Sequence, residues 1–170
     1  MVFRRTVVLG SSALAALGVL LALLTGAQAQ TRPRVECGPG LSSGSRREQT
    51  NKKVVVAFYE AALNKKDPEE ALRYVGASYR QHNPLVEDGR EGFRRFIAWV
   101  RSDHPDSHSE IKRSFADGDY VILDVHMIRF PGERGLAIGE TFRLEDGKIV
   151  EHWDRIQPIA QTSKNDNGMF

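Results

Sequence analysis

Cysteine is almost missing: Cys37 is the only one in 170 residues, so no internal disulfide framework can form and packing must hold the fold. It sits among Pro33, Gly38, Pro39 and Gly40, and Arg34-Val35-Glu36 before it lack the small apolar run expected at a lipidated cysteine. It reads as inert, with intermolecular pairing as the alternative. There is no zinc spacing, no glycine-rich phosphate loop, no Gly-x-Ser-x-Gly elbow and no supported Cys-His pair. Zinc, nucleotide and covalent nucleophilic chemistry therefore find no support. His104 and His108 stand four apart, but Pro105 between them breaks the helix that would put both on one face. No metal and no cofactor is expected.

A second long apolar run is also missing. The single one, Val7 to Leu24, follows Arg4-Arg5 and precedes Ala27-Gln28-Ala29, the charged start, apolar middle and small-x-small box of an export signal. Residues 1–29 are read as a cleaved signal peptide, and the chain as exported. A membrane anchor is the alternative, because the run nears the roughly 18 residues of a spanning helix. The Arg pair fits either the general or the twin-arginine route. The leader holds two of the 24 basic residues and none of the 22 acids, so the mature chain is expected to carry no excess charge of either sign. With both signs interspersed, as in Glu87-Asp88-Gly89-Arg90-Glu91, no nucleic-acid partner is expected.

Residues 30–47 are rich in Arg, Ser, Gly and Pro and read as a flexible linker. A single domain is expected over residues 48–160, followed by a polar, disordered tail over 161–170. Val55, Phe58, Tyr59 and Ala62 form one helical stripe, placing a first helix from Glu48 to about Lys65. Asp67-Pro68-Glu69-Glu70 starts a second, short helix with a cap, a proline at its first position and acids at the positive end of its dipole. Asp88-x-x-Glu91 opens a third with a capping-box pattern, and Phe93, Phe96, Ile97 and Val100 give it an apolar face. Residues 78–84, closed by Pro84, form a brief strand or extended turn.

From Ser109 the period becomes two. Strands near 109–115, 120–130, 136–144 and 148–157 are separated by Gly- and Asp-rich turns, which makes an antiparallel meander. The fold class is α+β, with three N-terminal helices packed on one face of a curved antiparallel sheet.

Alternation groups Val150, His152, Asp154 and Ile156 on one face of the last strand, with Glu151, Trp153 and Arg155 on the other. The same rule groups Ile122, Asp124, His126 and Ile128. If both mixed faces line one cavity, two Asp and two His converge there. A carboxylate between apolar walls becomes a usable proton acceptor near neutrality, and a neighbouring His can hold a proton or orient a substrate oxygen. The same residues also fit plain strand-to-strand hydrogen bonds or ion pairs. His82, inside Gln81-His82-Asn83-Pro84, sits in an irregular polar run where function concentrates, although turn capping by Asn83 explains that run equally well.

Tyr79-x-Gln81-His82-Asn83-Pro84, the following Asp88-Gly89 helix, and Glu151-His152-Trp153-Asp154 with Gln157 resemble the SnoaL-like branch of the nuclear transport factor 2-like superfamily. That branch includes polyketide cyclases and is similar to ketosteroid isomerase. The resemblance implies a cone-shaped fold enclosing one pocket, usually in a homodimer formed through the sheet, with a small apolar molecule as ligand. It implies an acid/base role for Asp154, with His152 two residues before it, in an aldol condensation without metal or cofactor. His82 or Asn83 would orient a carbonyl. Glu140 stands where cyclases place a His, so the substrate is expected to differ. Asp154, His152 and His82 are the expected catalytic residues. Tyr79, Asn83, Asp124, His126, Glu140 and Trp153 are the expected substrate contacts. The alternative is a non-catalytic module of the same fold that binds a small ligand or a partner.

Overall fold

The computed structural model describes residues 44–170. The signal-peptide reading, most of the linker and Cys37 lie outside them. Ser45 caps helix α1 (Arg46–Tyr59) through a full capping box with Glu48, two residues earlier than the apolar stripe alone predicts. The helix continues into a π-helical turn, Glu60–Asn64, closed by Lys65 N–H donating to the Glu60 carbonyl at 2.9 Å. Asp67 then caps α2 (Pro68–Leu72) by accepting from the Glu69 and Glu70 N–H groups. Helix α3 spans Gly89–Asp103.

The capping box expected at α3 does not form. Asp88 makes no side-chain cap, because its carboxylate accepts from the Gln81 backbone N–H at 2.6 Å instead. Arg90 in the first turn of α3 donates to the carbonyls of Leu72, Val75 and Gly76. These bonds pin the helix to the end of α2 and to the strand that follows it.

Five strands form one sheet: β1 (Val75–Gln81), β2 (His108–Asp117), β3 (Tyr120–Ile128), β4 (Leu136–Glu145) and β5 (Lys148–Pro158). Their order is β1-β5-β4-β3-β2. The last four make the expected antiparallel meander. Strand β1 joins parallel to β5, so the sheet is mixed, and the polar run around residue 81 leaves the sheet at the chemically busiest part of β5.

The helices cover one face. Val55, Phe58, Phe93 and Ile97 pack there against Val121, Leu123, Val125, Ile138, Phe142 and Leu144. At the β4–β5 pairing the register shifts between Arg143 and Leu144. The irregularity puts Ile149, opposite Leu144, into the core. Val150, expected on the His152 face, instead packs against Gly76, where an added Cβ would lie 2.9 Å from Val150 Cγ1. Residues 161–170 contain no helix or strand, and the Phe170 ring stands 5.2 Å from that of His126.

Candidate active site

Between the helices and the concave face of the sheet lies a cavity of about 660 Å³. Its wall is mainly apolar: Phe58, Leu63, Phe93, Phe96, Trp99, Met127, Ile138, Phe142 and Ile156 all line it. Each arrives on a predictable face. Helices α1 and α3 contribute their apolar stripes, and β4 and β5 contribute alternate residues. Leu85, 89% exposed, is part of the lining and marks where the cavity meets solvent.

The polar residues of the wall form a connected set. Glu140 and Asp154 are directly opposed on β4 and β5, as are Phe142 and His152. His152 Nε2 lies 2.6 Å from Glu140 Oε2, and Tyr59 Oη donates to Glu140 Oε1 at 2.9 Å. On its other side, His152 Nδ1 lies 2.9 Å from Gln81 Oε1. That same oxygen accepts from the Asn83 backbone N–H at 2.9 Å, which identifies it as an acceptor. Nδ1 therefore carries a hydrogen. The 2.6 Å contact between Nε2 and Oε2 then ties the other side of the ring to Glu140. The His152 ring is stacked on Phe142 at 4.8 Å, which fixes its plane.

Asp154 is separate from that pair. Asn83 Nδ2 donates to its Oδ2 at 2.5 Å, and Oδ1 has no protein partner among the described residues. Tyr79 is buried edge-on to Phe93. It accepts from Gln81 Nε2 at 3.1 Å, which leaves its own hydroxyl hydrogen for the cavity. Burial, with Glu140 nearby, pushes both tyrosine hydroxyls well above the ordinary range; Asp154 adds to the effect. Both therefore remain protonated donors at neutral pH. Glu140, His152 and Asp154 each offer a ligand atom, all within 4.8 Å of one another. A cation there would have to part the 2.6 Å hydrogen bond between Nε2 and Oε2.

Of the residues expected at the site, Asp154, His152, Tyr79, Asn83 and Glu140 meet in this cavity. Four do not. His82 points to the opposite face of the sheet, where it stacks on Trp153 at 4.7 Å and bonds Glu151 at 2.9 Å. Trp153 is on that outer face with it, because it alternates with His152 and Asp154. Asp124 and His126 also face outward. Asp124 pairs with Arg113 at 2.8 Å, and His126 Nε2 meets the Arg134 carbonyl at 2.9 Å. The wholly apolar set Val121, Leu123 and Val125 takes the inner face of β3, since burying it gains more than burying the mixed set. On the outer face Glu151 is held below the ordinary carboxylate range, first by the His82 bond and then by Arg143 and Arg80.

Two contributors were not expected. Gln81 shares its face with Tyr79 and Asn83 by simple alternation, a signal present in the sequence. Tyr59 belongs to the apolar stripe of α1, and nothing in that stripe marks its hydroxyl as a partner for Glu140.

The SnoaL-like domain profile matches residues 55–152, the segment that contains every member of the His152–Glu140 network. No curated protein matches the sequence at a significant level. Among solved structures, the chain is similar to a provisionally assigned SnoaL-like polyketide cyclase from Jannaschia sp. CCS1, with 17% identity over 68% of this chain and 90% of that one and a TM-score of 0.58. A provisionally assigned ketosteroid isomerase from Kribbella flavida DSM 17836 aligns at 18% identity over 69% of this chain and 85% of its own, with a TM-score of 0.58. TsrD from Streptomyces laurentii aligns at 24% identity over 64% and 88%, with a TM-score of 0.54. At these identities the likeness is one of fold. The profile match covers more than half of the chain, and with the helix-covered curved sheet it makes this protein a member of the SnoaL-like domain family, in the nuclear transport factor 2-like superfamily.

Proposed function

We propose that the chain is an exported, cofactor-independent acid/base enzyme acting on a small, largely apolar carbonyl compound, and that it works as a homodimer. The observation that carries the reading is Asp154: a carboxylate with one oxygen held by Asn83 and the other unpartnered, on the wall of an apolar cavity. Such a group is placed to accept a proton from carbon. Its Oδ1 takes the hydrogen from the carbon beside the substrate carbonyl. The C–H electron pair becomes the enolate double bond, and the carbonyl electrons move to oxygen. The Tyr79 hydroxyl donates to that oxygen as charge develops. Returning the proton at another carbon gives an isomerisation, and attack of the enolate on a second carbonyl gives an aldol product. In this scheme the Glu140–His152 pair keeps the Gln81, Asn83 and Asp154 side chains in register.

Replacing Asp154 with Asn keeps size and shape but removes the proton acceptor. Turnover of enolisable ketones, read as solvent deuterium exchange by NMR, should fall by at least about 10²-fold, with the thermal unfolding midpoint nearly unchanged. Exchange that survives in D154N would sink the proposal.

A second reading has its own observation. Both nitrogens of His152 and both oxygens of Glu140 already have partners within the protein, which suits a preformed binding cavity with no chemistry. It expects ligand affinity without exchange in either form of the protein.

A further inference from the structure

The cavity is electrically lopsided. Among its described lining residues the only acids are Glu140 and Asp154, opposed on β4 and β5. Four residues along β4, at about 3.3 Å per residue or roughly 13 Å away, Leu136 pairs with Met127 of β3. Arg129 follows two residues later and also lines the cavity, with His104 and Ser107 beside it in the wall. The lining at this end therefore presents donors and no carboxylate.

His104 lies between the edges of Trp99 and Phe130, with ring centroids 4.9 and 5.1 Å away. Its Nδ1 is buried and has no partner among the described residues. A buried lone pair without a donor costs less than a buried N–H without an acceptor, so the ring hydrogen belongs on Nε2. Nε2 has no acceptor among the described residues and is left as a donor. The Arg129 guanidinium is similarly underused. Its one carboxylate neighbour among the described residues, Glu133, does not line the cavity, is 3.9 Å from Nε, and already accepts from the Arg129 backbone N–H. No part of the proton-transfer network needs either residue.

We propose that this end of the cavity is a carboxylate subsite, so that the ligand is an apolar carbonyl compound carrying an acid group at the end remote from its reacting carbonyl. Arg129 supplies the charge and His104 Nε2 a directed hydrogen bond. The carbonyl end points to Asp154, and this orientation rests on the acid/base reading above. Reversed binding would set the ligand's carboxylate against Asp154, so the two ends also select one orientation.

The test compares two probes with the same chain that differ only at the carboxyl end: the straight-chain methyl-ketone acid of decanoate length and its uncharged methyl ester. Each is titrated calorimetrically into the full chain near neutral pH. The acid should bind about tenfold more tightly than the ester, as a charge-assisted contact predicts. In Arg129→Gln that preference should fall below about threefold while ester affinity holds. His104→Phe keeps the aromatic packing and should lose a smaller part of the preference. Equal affinity for both probes, a full preference in R129Q, or binding of neither probe would each overturn the subsite. Because the readout is binding, the two proposals fail separately. A carboxylate preference in a protein whose exchange survives D154N would refute only the acid/base reading.

Discussion

Glu140 and Asp154 are opposed residues of the same chemical kind, and their surroundings give them different work. Glu140 is buried and tied to His152 and Tyr59, so its replacement is a structural event. Glu140→Leu should strand the Tyr59 hydroxyl and His152 Nε2 in an apolar wall and cost about 3 kcal/mol, read as a lower urea midpoint, with Glu140→Gln recovering part of it. His82→Ala removes a stack and a bond on the outer face. It should cost about 1 kcal/mol or less and leave deuterium exchange untouched. A large exchange defect in H82A would contradict the separation of the two faces. The contrast also shows what the sequence makes legible. His82 attracted attention by residue type, whereas Gln81 reaches the site because it alternates with Tyr79 and Asn83. Asp124 and His126 mislead in the same way, since the apolar set between them had the stronger claim on the interior.

At the scale of elements, the three helices and the period-two strands were readable because their signals are local: a proline, a stripe, a turn, and at α2 the Asp67 cap. The parallel pairing of β1 with β5 and the irregularity at Val150 were not, because both depend on partners distant in sequence. Another long-range tie has a measurable signature. Glu48 closes the capping box of α1 and also accepts from the backbone N–H of Gly118 at 3.0 Å, in the β2–β3 turn. The Gly118 and Ser45 bonds hold its carboxyl below the ordinary value of 4.5. An unfolded chain then binds the proton more readily than the folded one. The tie stabilises fully above the ordinary value and is lost as pH falls through the lower, folded value. Urea midpoints should drop on acidification, and the gap between the native chain and Glu48→Gln should be largest near neutral pH and shrink as the carboxylate protonates. A gap independent of pH would mean that Glu48 acts through packing alone.

Across the whole molecule, the sheet separates two chemistries. Its concave face holds the cavity and the hydrogen-bonded set of Glu140, His152 and Asp154. On its convex face the opposed residues Phe115, Ile122, Thr141 and Trp153 run in one row across four strands. Phe115 and Ile122 are each 43% exposed. A row of half-exposed apolar groups on a pleated surface leaves area that a second copy of the same row can bury, and a two-fold axis through the sheet lets each copy supply both halves of the contact. The homodimer proposed for this chain should therefore form through the convex face. Ile122→Asp places a charge at the middle of the row, pointing away from the cavity. Light scattering should show the native chain as a dimer and I122D as a monomer, and the monomer should still bind the acid probe because Ile122 contributes nothing to the cavity wall. A native monomer at micromolar concentration would remove the dimer. A dimer that persists in I122D would move the interface to another surface. Loss of probe binding in a folded I122D monomer would show that the cavity depends on the partner, joining two faces that the geometry of one chain keeps apart.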